Sequence, residues 1–76
     1  MRVDLTNNWQ KVNIIKECAI QNTGEKIVRV AVLDADVAPA TKDFGFILNR
    51  FDTIDIKLGE IVYSRSQSSS STIEVG

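Results

Sequence analysis

Thr53-Ile54-Asp55-Ile56-Lys57-Leu58-Gly59-Glu60-Ile61-Val62-Tyr63-Ser64-Arg65-Ser66 is the stretch whose reading decides the fold. Ile54, Ile56 and Leu58 alternate with Thr53, Asp55 and Lys57, so one face is apolar and the other is wet. After Leu58-Gly59-Glu60, the run Ile61-Val62-Tyr63 carries β-branched and aromatic bulk suited to a pleated, half-buried surface. The pattern predicts a β-hairpin turning at Gly59, with Ile54, Ile56 and Leu58 directed into the core. In its second strand, alternation places Ile61, Tyr63 and Arg65 on one face and Val62, Ser64 and Ser66 on the other.

Upstream, Ile27 to Leu33 has four β-branched residues in seven and no turn former, which makes it the firmest single strand. Val28, Val30 and Val32 form one apolar face. Ile27, Arg29, Ala31 and Leu33 form the other, apolar except for the arginine. Such a strand is expected to be buried on both sides, once by its own core and once by another subunit. Asp34 to Asp43 holds the only proline, Pro39, and reads as a loop. Phe44 to Leu48 resumes strand character, and Gly45 within it points to a bulge or a close backbone approach. Phe51 is a candidate to cap the end of the core.

Trp9 to Asn22 fits either a helix or two short strands, and the need to partner free sheet edges favours the strands. Residues 1 to 8 are mostly polar and read as an N-terminal arm, either a floppy terminus or a segment ordered only by a partner. At the other end, Ser64 to Thr72 contains six serines in nine residues and reads as a mobile loop before a short final strand ending at Val75. Residues 9 to 76 then make a single all-β domain, a small β-sandwich or barrel of six to seven short antiparallel strands, completed by oligomerisation.

Size and composition lead to the same expectation. A chain of 76 residues buries only ~60% of its unfolded surface and needs a supplement to its core. The single cysteine, Cys18, forbids an internal disulfide, and the absence of histidine removes the commonest metal ligand. Self-association is the supplement left. A net charge of −1 gives no footprint for nucleic acid or an anionic membrane. Nor is any apolar run near the ~20 residues that span a bilayer, and the N-terminus lacks the apolar core of a signal peptide.

Catalysis finds no foothold. There is no histidine to act as a base or to activate Cys18, no glycine-rich phosphate loop, and no cofactor motif. Asp34 and Asp36 read as a solvated turn, and Cys18 as a small buried hydrophobe. The residue types that favour contact are Trp9, Tyr63 and Arg65, joined by Arg29 and Leu33 from the second face of the valine-rich strand. These five are the expected interface residues.

The order of features resembles that of the small virion structural proteins of tailed bacteriophages. It is carried by Trp9 near the start, Ile20-Gln21-Asn22, Val28-Arg29-Val30-Ala31-Val32, Pro39 in the loop, and Gly45 to Leu48. Gly59, Ile61-Val62-Tyr63-Ser64-Arg65-Ser66 and the closing Ile73-Glu74-Val75 complete it. The resemblance implies a non-enzymatic decoration-type subunit, made in the host bacterial cytoplasm and carried in the virion. It further implies symmetric self-assembly, a trimer favoured, and attachment to a phage capsid or tail protein. The alternatives are a carbohydrate- or host-surface-binding module of a phage tail, using Trp9 and Tyr63, and a small regulator that binds a host protein.

Overall fold

The alternating stretches do form strands, but they are joined differently from the hairpin that the sequence suggests. A computed structural model describes residues 1–76. Its eight strands are β1 (Arg2–Thr6), β2 (Gln10–Val12), β3 (Cys18–Asn22), β4 (Val28–Leu33), β5 (Phe46–Leu48), β6 (Thr53–Ile56), β7 (Ile61–Ser66) and β8 (Ser70–Val75). They build two four-stranded antiparallel sheets, ordered β1-β8-β3-β6 and β2-β7-β4-β5. The molecule is an all-β sandwich with no helix, a thin slab of 28 × 27 × 16 Å.

β6 and β7 do not pair with each other. β6 pairs with β3 in one sheet, and β7 lies between β2 and β4 in the other. The turn at Lys57 to Glu60 is therefore an arch across the core. Glu60 N donates to Lys57 O at 3.2 Å, Lys57 N donates to Glu60 Oε1 at 2.6 Å, and Gly59 takes a φ of 94°. The turn itself spans less than ~7 Å, and the residues flanking it on either side complete the step across the ~10 Å between packed sheets. Alternation and a turn glycine suit both connections, so local pattern could not choose between them. Ile56 and Val62 now face each other from opposite sheets, while Leu58, expected to point inward, lies past the strand end and is 63% exposed.

The same arrangement recurs along the chain. Only β4 and β5 are consecutive strands of one sheet; every other link crosses between sheets. Core residues come from both: Leu5, Ile20, Ile56 and Ile73 from one sheet, Val12, Val28, Val30, Leu48 and Val62 from the other. The longer aliphatics of one layer meet mostly valines of the other, which fills a narrow gap without any aromatic ring.

Three other expectations are corrected. Within residues 1 to 8, β1 pairs along its length with β8 and buries Leu5, so the arm is held by its own chain rather than by a partner. The serine tract is not a loop: β7 runs through Ser66 and β8 begins at Ser70, with Ser64, Ser66 and Ser71 buried. Two of these hydroxyls meet backbone carbonyls, Ser64 Oγ donating to Arg29 O and Ser71 Oγ to Lys26 O, while Ser66 Oγ is buried without a partner. Phe51 does not cap the core. It sits in the β5–β6 turn at φ 70°, 59% exposed, with the Arg50 guanidinium 4.8 Å from its ring.

The helix-or-strands choice for residues 9 to 22 resolves as strands, β2 and β3. The strand expected from Phe44 is shorter, beginning at Phe46. Gly45 is a close approach: at φ 91°, a Cβ there would stand 2.5 Å from Val30 O.

Candidate functional site

The residues picked out for contact do gather on one surface, the outer face of the β2-β7-β4-β5 sheet. Lys11, Tyr63 and Ala31 stand side by side across β2, β7 and β4. Arg65, Arg29 and Ile47 form the adjoining row across β7, β4 and β5, and Ile61 lies opposite Leu33. Trp9, just before β2, brings its ring within 5.8 Å of the Arg65 guanidinium. Trp9, Arg29, Leu33, Tyr63 and Arg65 thus share one face.

That face is not open. The segment Asp34 to Gly45 folds back across it and is tied down by the same side chains. Asp36 accepts hydrogen bonds from Lys11 Nζ at 2.6 Å and from Tyr63 OH at 2.8 Å. Trp9 Nε1 donates to Thr41 O at 2.9 Å, and Arg65 Nε donates to Lys42 O at 3.1 Å. Ala31, whose small side chain leaves room for the segment, is wholly buried. The second covering of β4 expected from another subunit is supplied, over this row, by the chain's own loop.

The electrostatics follow from these ties. The hydrogen bond from Lys11, with that from Tyr63 second, holds the Asp36 carboxyl below the usual carboxylate range. The hydrogen bond to Asp36 is likewise the main cause that raises Lys11 and Tyr63 above their ordinary values. Arg65 is only 3% exposed, yet no carboxylate pairs with it. Its Nη1 donates to Asn7 O and Ser66 O, so backbone carbonyls carry its solvation. Arg29 Nε is buried with no partner, and Arg29 faces Arg65 across the β4–β7 pair.

The surface that is open was missed in the sequence. All three phenylalanines lie between residues 44 and 51, and all three reach solvent, as does Ile47. Phe46 and Leu48 share the inward side of β5, but only Leu48 reaches the core; Phe46 stays 58% exposed at the rim. Between the free edges of β5 and β6 the sandwich gapes into a cleft of about 670 Å³. Val32, Phe46, Leu48 and Ile54 supply its apolar lining, and Asp34, Asp55 and Glu60 its charge. Of the three phenylalanines only Phe46 lines the cleft, and its place beside Gly45 in a three-residue edge strand is the signal that could have marked it. A second, smaller hollow of about 420 Å³ lies under the chain ends, lined by Met1, Ile14, Ile15, Cys18 and Val75 among others.

No three or more cysteine and carboxylate side chains converge to hold a metal ion. Cys18 is half-buried against the core, in keeping with its reading as a small hydrophobe. No helix is long and apolar enough to cross a membrane. No protein family, curated protein or solved structure matches the chain.

Proposed function

We propose that the protein is a non-catalytic structural subunit that works by contact. It assembles with copies of itself and attaches to a larger shell, as a decoration-type virion protein on a phage capsid or tail. The observation that carries this reading is the disposition of its aromatic residues. The core is wholly aliphatic, while Phe44, Phe46 and Phe51 are 47%, 58% and 59% exposed and Ile47 beside them is 51% exposed. Aromatic and aliphatic surface left in water on so small a domain is surface suited to a partner. The polar side chains on the opposite part of the sheet, by contrast, are engaged in holding a loop and leave no free acid–base pair.

The glycan-binding alternative gains nothing from the geometry. The polar atoms of Trp9 and Tyr63 are both engaged by the covering loop, so neither Nε1–H nor O–H is free for a sugar hydroxyl.

Light scattering on the purified protein tests self-assembly. A species near three times the 8.4 kDa chain mass is expected at micromolar concentration, and a clean monomer overturns the assembly half of the reading. Mass spectrometry of purified particles tests the other half. Its absence from them would sink the virion assignment.

A further inference from the structure

We infer that the cleft between β5 and β6 is a docking site for a cationic, amphipathic extended segment of a partner protein, added as a strand along β5. This deepens the reading of the protein as a contact-making subunit and rests on it.

Three observations converge on this cleft. The first is backbone: β5 and β6 are the terminal strands of their sheets on the same side of the sandwich, and nothing pairs with their outer edges. An unpaired edge carries a row of donors and acceptors ready for an added strand. The second is apolar surface. Phe46 on the inward side of β5 is 58% exposed, and Val32 and Ile54 behind it are only half-buried. A new strand beside β5 would set every second side chain against this lining, because side chains alternate across a strand.

The third observation is charge. The cleft's only ionisable residues are Asp34, Asp55 and Glu60, and none of them is in an ion pair. Glu60 accepts a single bond from Lys57 N, while Asp34 and Asp55 make no side-chain hydrogen bond in the protein. Three unneutralised carboxylates around an apolar lining select lysine or arginine at the polar positions of the incoming strand. The same rim speaks against a second copy as the occupant. A two-fold pairing through this edge would bring identical acidic lips together, and like charges across an interface are repulsive. Two-fold pairing of this edge with the same edge of a second copy is thereby disfavoured, and the charge complementarity points to a cationic segment of a different chain.

A short peptide alternating lysine and valine is the probe, with one alternating glutamate and valine as its counterpart. Titration calorimetry reads affinity, and amide hydrogen exchange reads the backbone of Phe46, Ile47 and Leu48. The lysine peptide is expected to bind, to slow exchange at those amides, and to weaken as salt is added. Asp34→Lys with Asp55→Lys should weaken it about tenfold or more, a loss of ~1.4 kcal/mol per decade. Both positions are exposed, so the variant should keep its fold, checked by its spectrum. Absence of binding overturns the proposal, as does equal binding of the glutamate peptide. Protection of the β5 amides that grows with protein concentration alone overturns it too, since the occupant is then a second copy. The oligomer mass and the presence of the protein in particles are read without peptide, so failure here and failure of the structural-subunit reading are told apart.

Discussion

The two long sides of the sandwich are finished in opposite ways. On the β1–β2 side the layers are sealed. Leu5 and Val12 are 1% and 3% exposed, Gln10 Nε2 donates across the gap to Asp4 O at 3.1 Å, and Asn7 Nδ2 donates to Gln67 O at 3.3 Å. On the β5–β6 side Phe46 is 58% exposed and Ile54 only half-buried, and the carboxylates around them, Asp34, Asp55 and Glu60, make no cross-layer bond. Both sides are built from the same alternation of apolar and polar residues. The difference lies in what stands beyond the last apolar residue: neutral amides able to bond across the layers on one side, repelling charges on the other. A sealed side adds buried apolar area to the core, and an unsealed side leaves that area in water.

That contrast can be broken by truncating one inward residue on each side. Leu5→Ala should cost about 3 kcal/mol, because a fully buried leucine leaves a cavity that a thin aliphatic core cannot refill. Phe46→Ala, removing a larger side chain, should cost under about 0.5 kcal/mol, since its ring is already largely in water. Urea unfolding measures both. Equal losses would mean that the open side is as much core as the sealed one.

One polar group keeps the open side from parting further. Asn22 of β3 is wholly buried and reaches into the facing sheet, its Nδ2 donating to Leu48 O at 2.9 Å and to Lys26 O at 2.8 Å. Its Oδ1 accepts from Gly24 N at 3.0 Å, so both ends of the amide are satisfied. Asn22→Ala would take the side-chain donor from Leu48 O and one of two partners each from Lys26 O and Gly24 N, which keep Ser71 Oγ and Thr72 O, and should cost about 1–2 kcal/mol. Amides of β5 should exchange faster in that variant than those of β1. Gly45→Ala should follow at about 1–2 kcal/mol, from a positive φ together with a Cβ forced toward Val30 O. Its effect should likewise concentrate in β5 and the covering loop, and uniform loss across the molecule would contradict the local account.

The sequence made the strands legible and hid their partners. Ile27 to Leu33, Ile61 to Ser66 and the two short strands between Trp9 and Asn22 are visible because period-two alternation is a local property. The sheet assignment is not local. β1 finds β8 at the far end of the chain, and β6 finds β3 rather than its neighbour β7. Residues 1 to 8 looked like an arm because Leu5 alone shows its burial, and its partner Ser71 lies in a tract that reads as low complexity. Pairings of such separation must overcome loop-closure entropy before contacts repay it, so folding should be slow for the chain's size. The interface residues show the same division. Alternation correctly placed Tyr63 and Arg65 on one face, but nothing local tells that the chain's own loop returns to cover it. Arg65 is conspicuous in the sequence as a contact residue and sits in the structure as a buried brace.

The smallest expected effect concerns that covering loop, two of whose ties to the closed face run through Asp36. Because Asp36 is lowered by Lys11 and Tyr63, its contribution is present above its unfolded value and lost as pH falls through the lowered one, below about pH 4. Lys11 and Tyr63 are raised, so theirs are present below their unfolded values and lost as pH climbs through the raised ones, above about pH 10. The loop should be held across the whole neutral range and loosen at both extremes, with little change in global stability because all three groups face water. Tyr63 is the only tyrosine, so its ionisation is read directly from ultraviolet absorbance without assignment. In the native protein it should titrate later than a free phenol, and in Asp36→Asn it should return toward the ordinary value while Leu5 and Val12 remain packed. If the two titrations coincide, the Tyr63–Asp36 bond does not persist in solution. The loop would then rest on its ties to Lys11, Trp9 and Arg65, and the closed face would be less firmly shut than the contrast with the open edge requires.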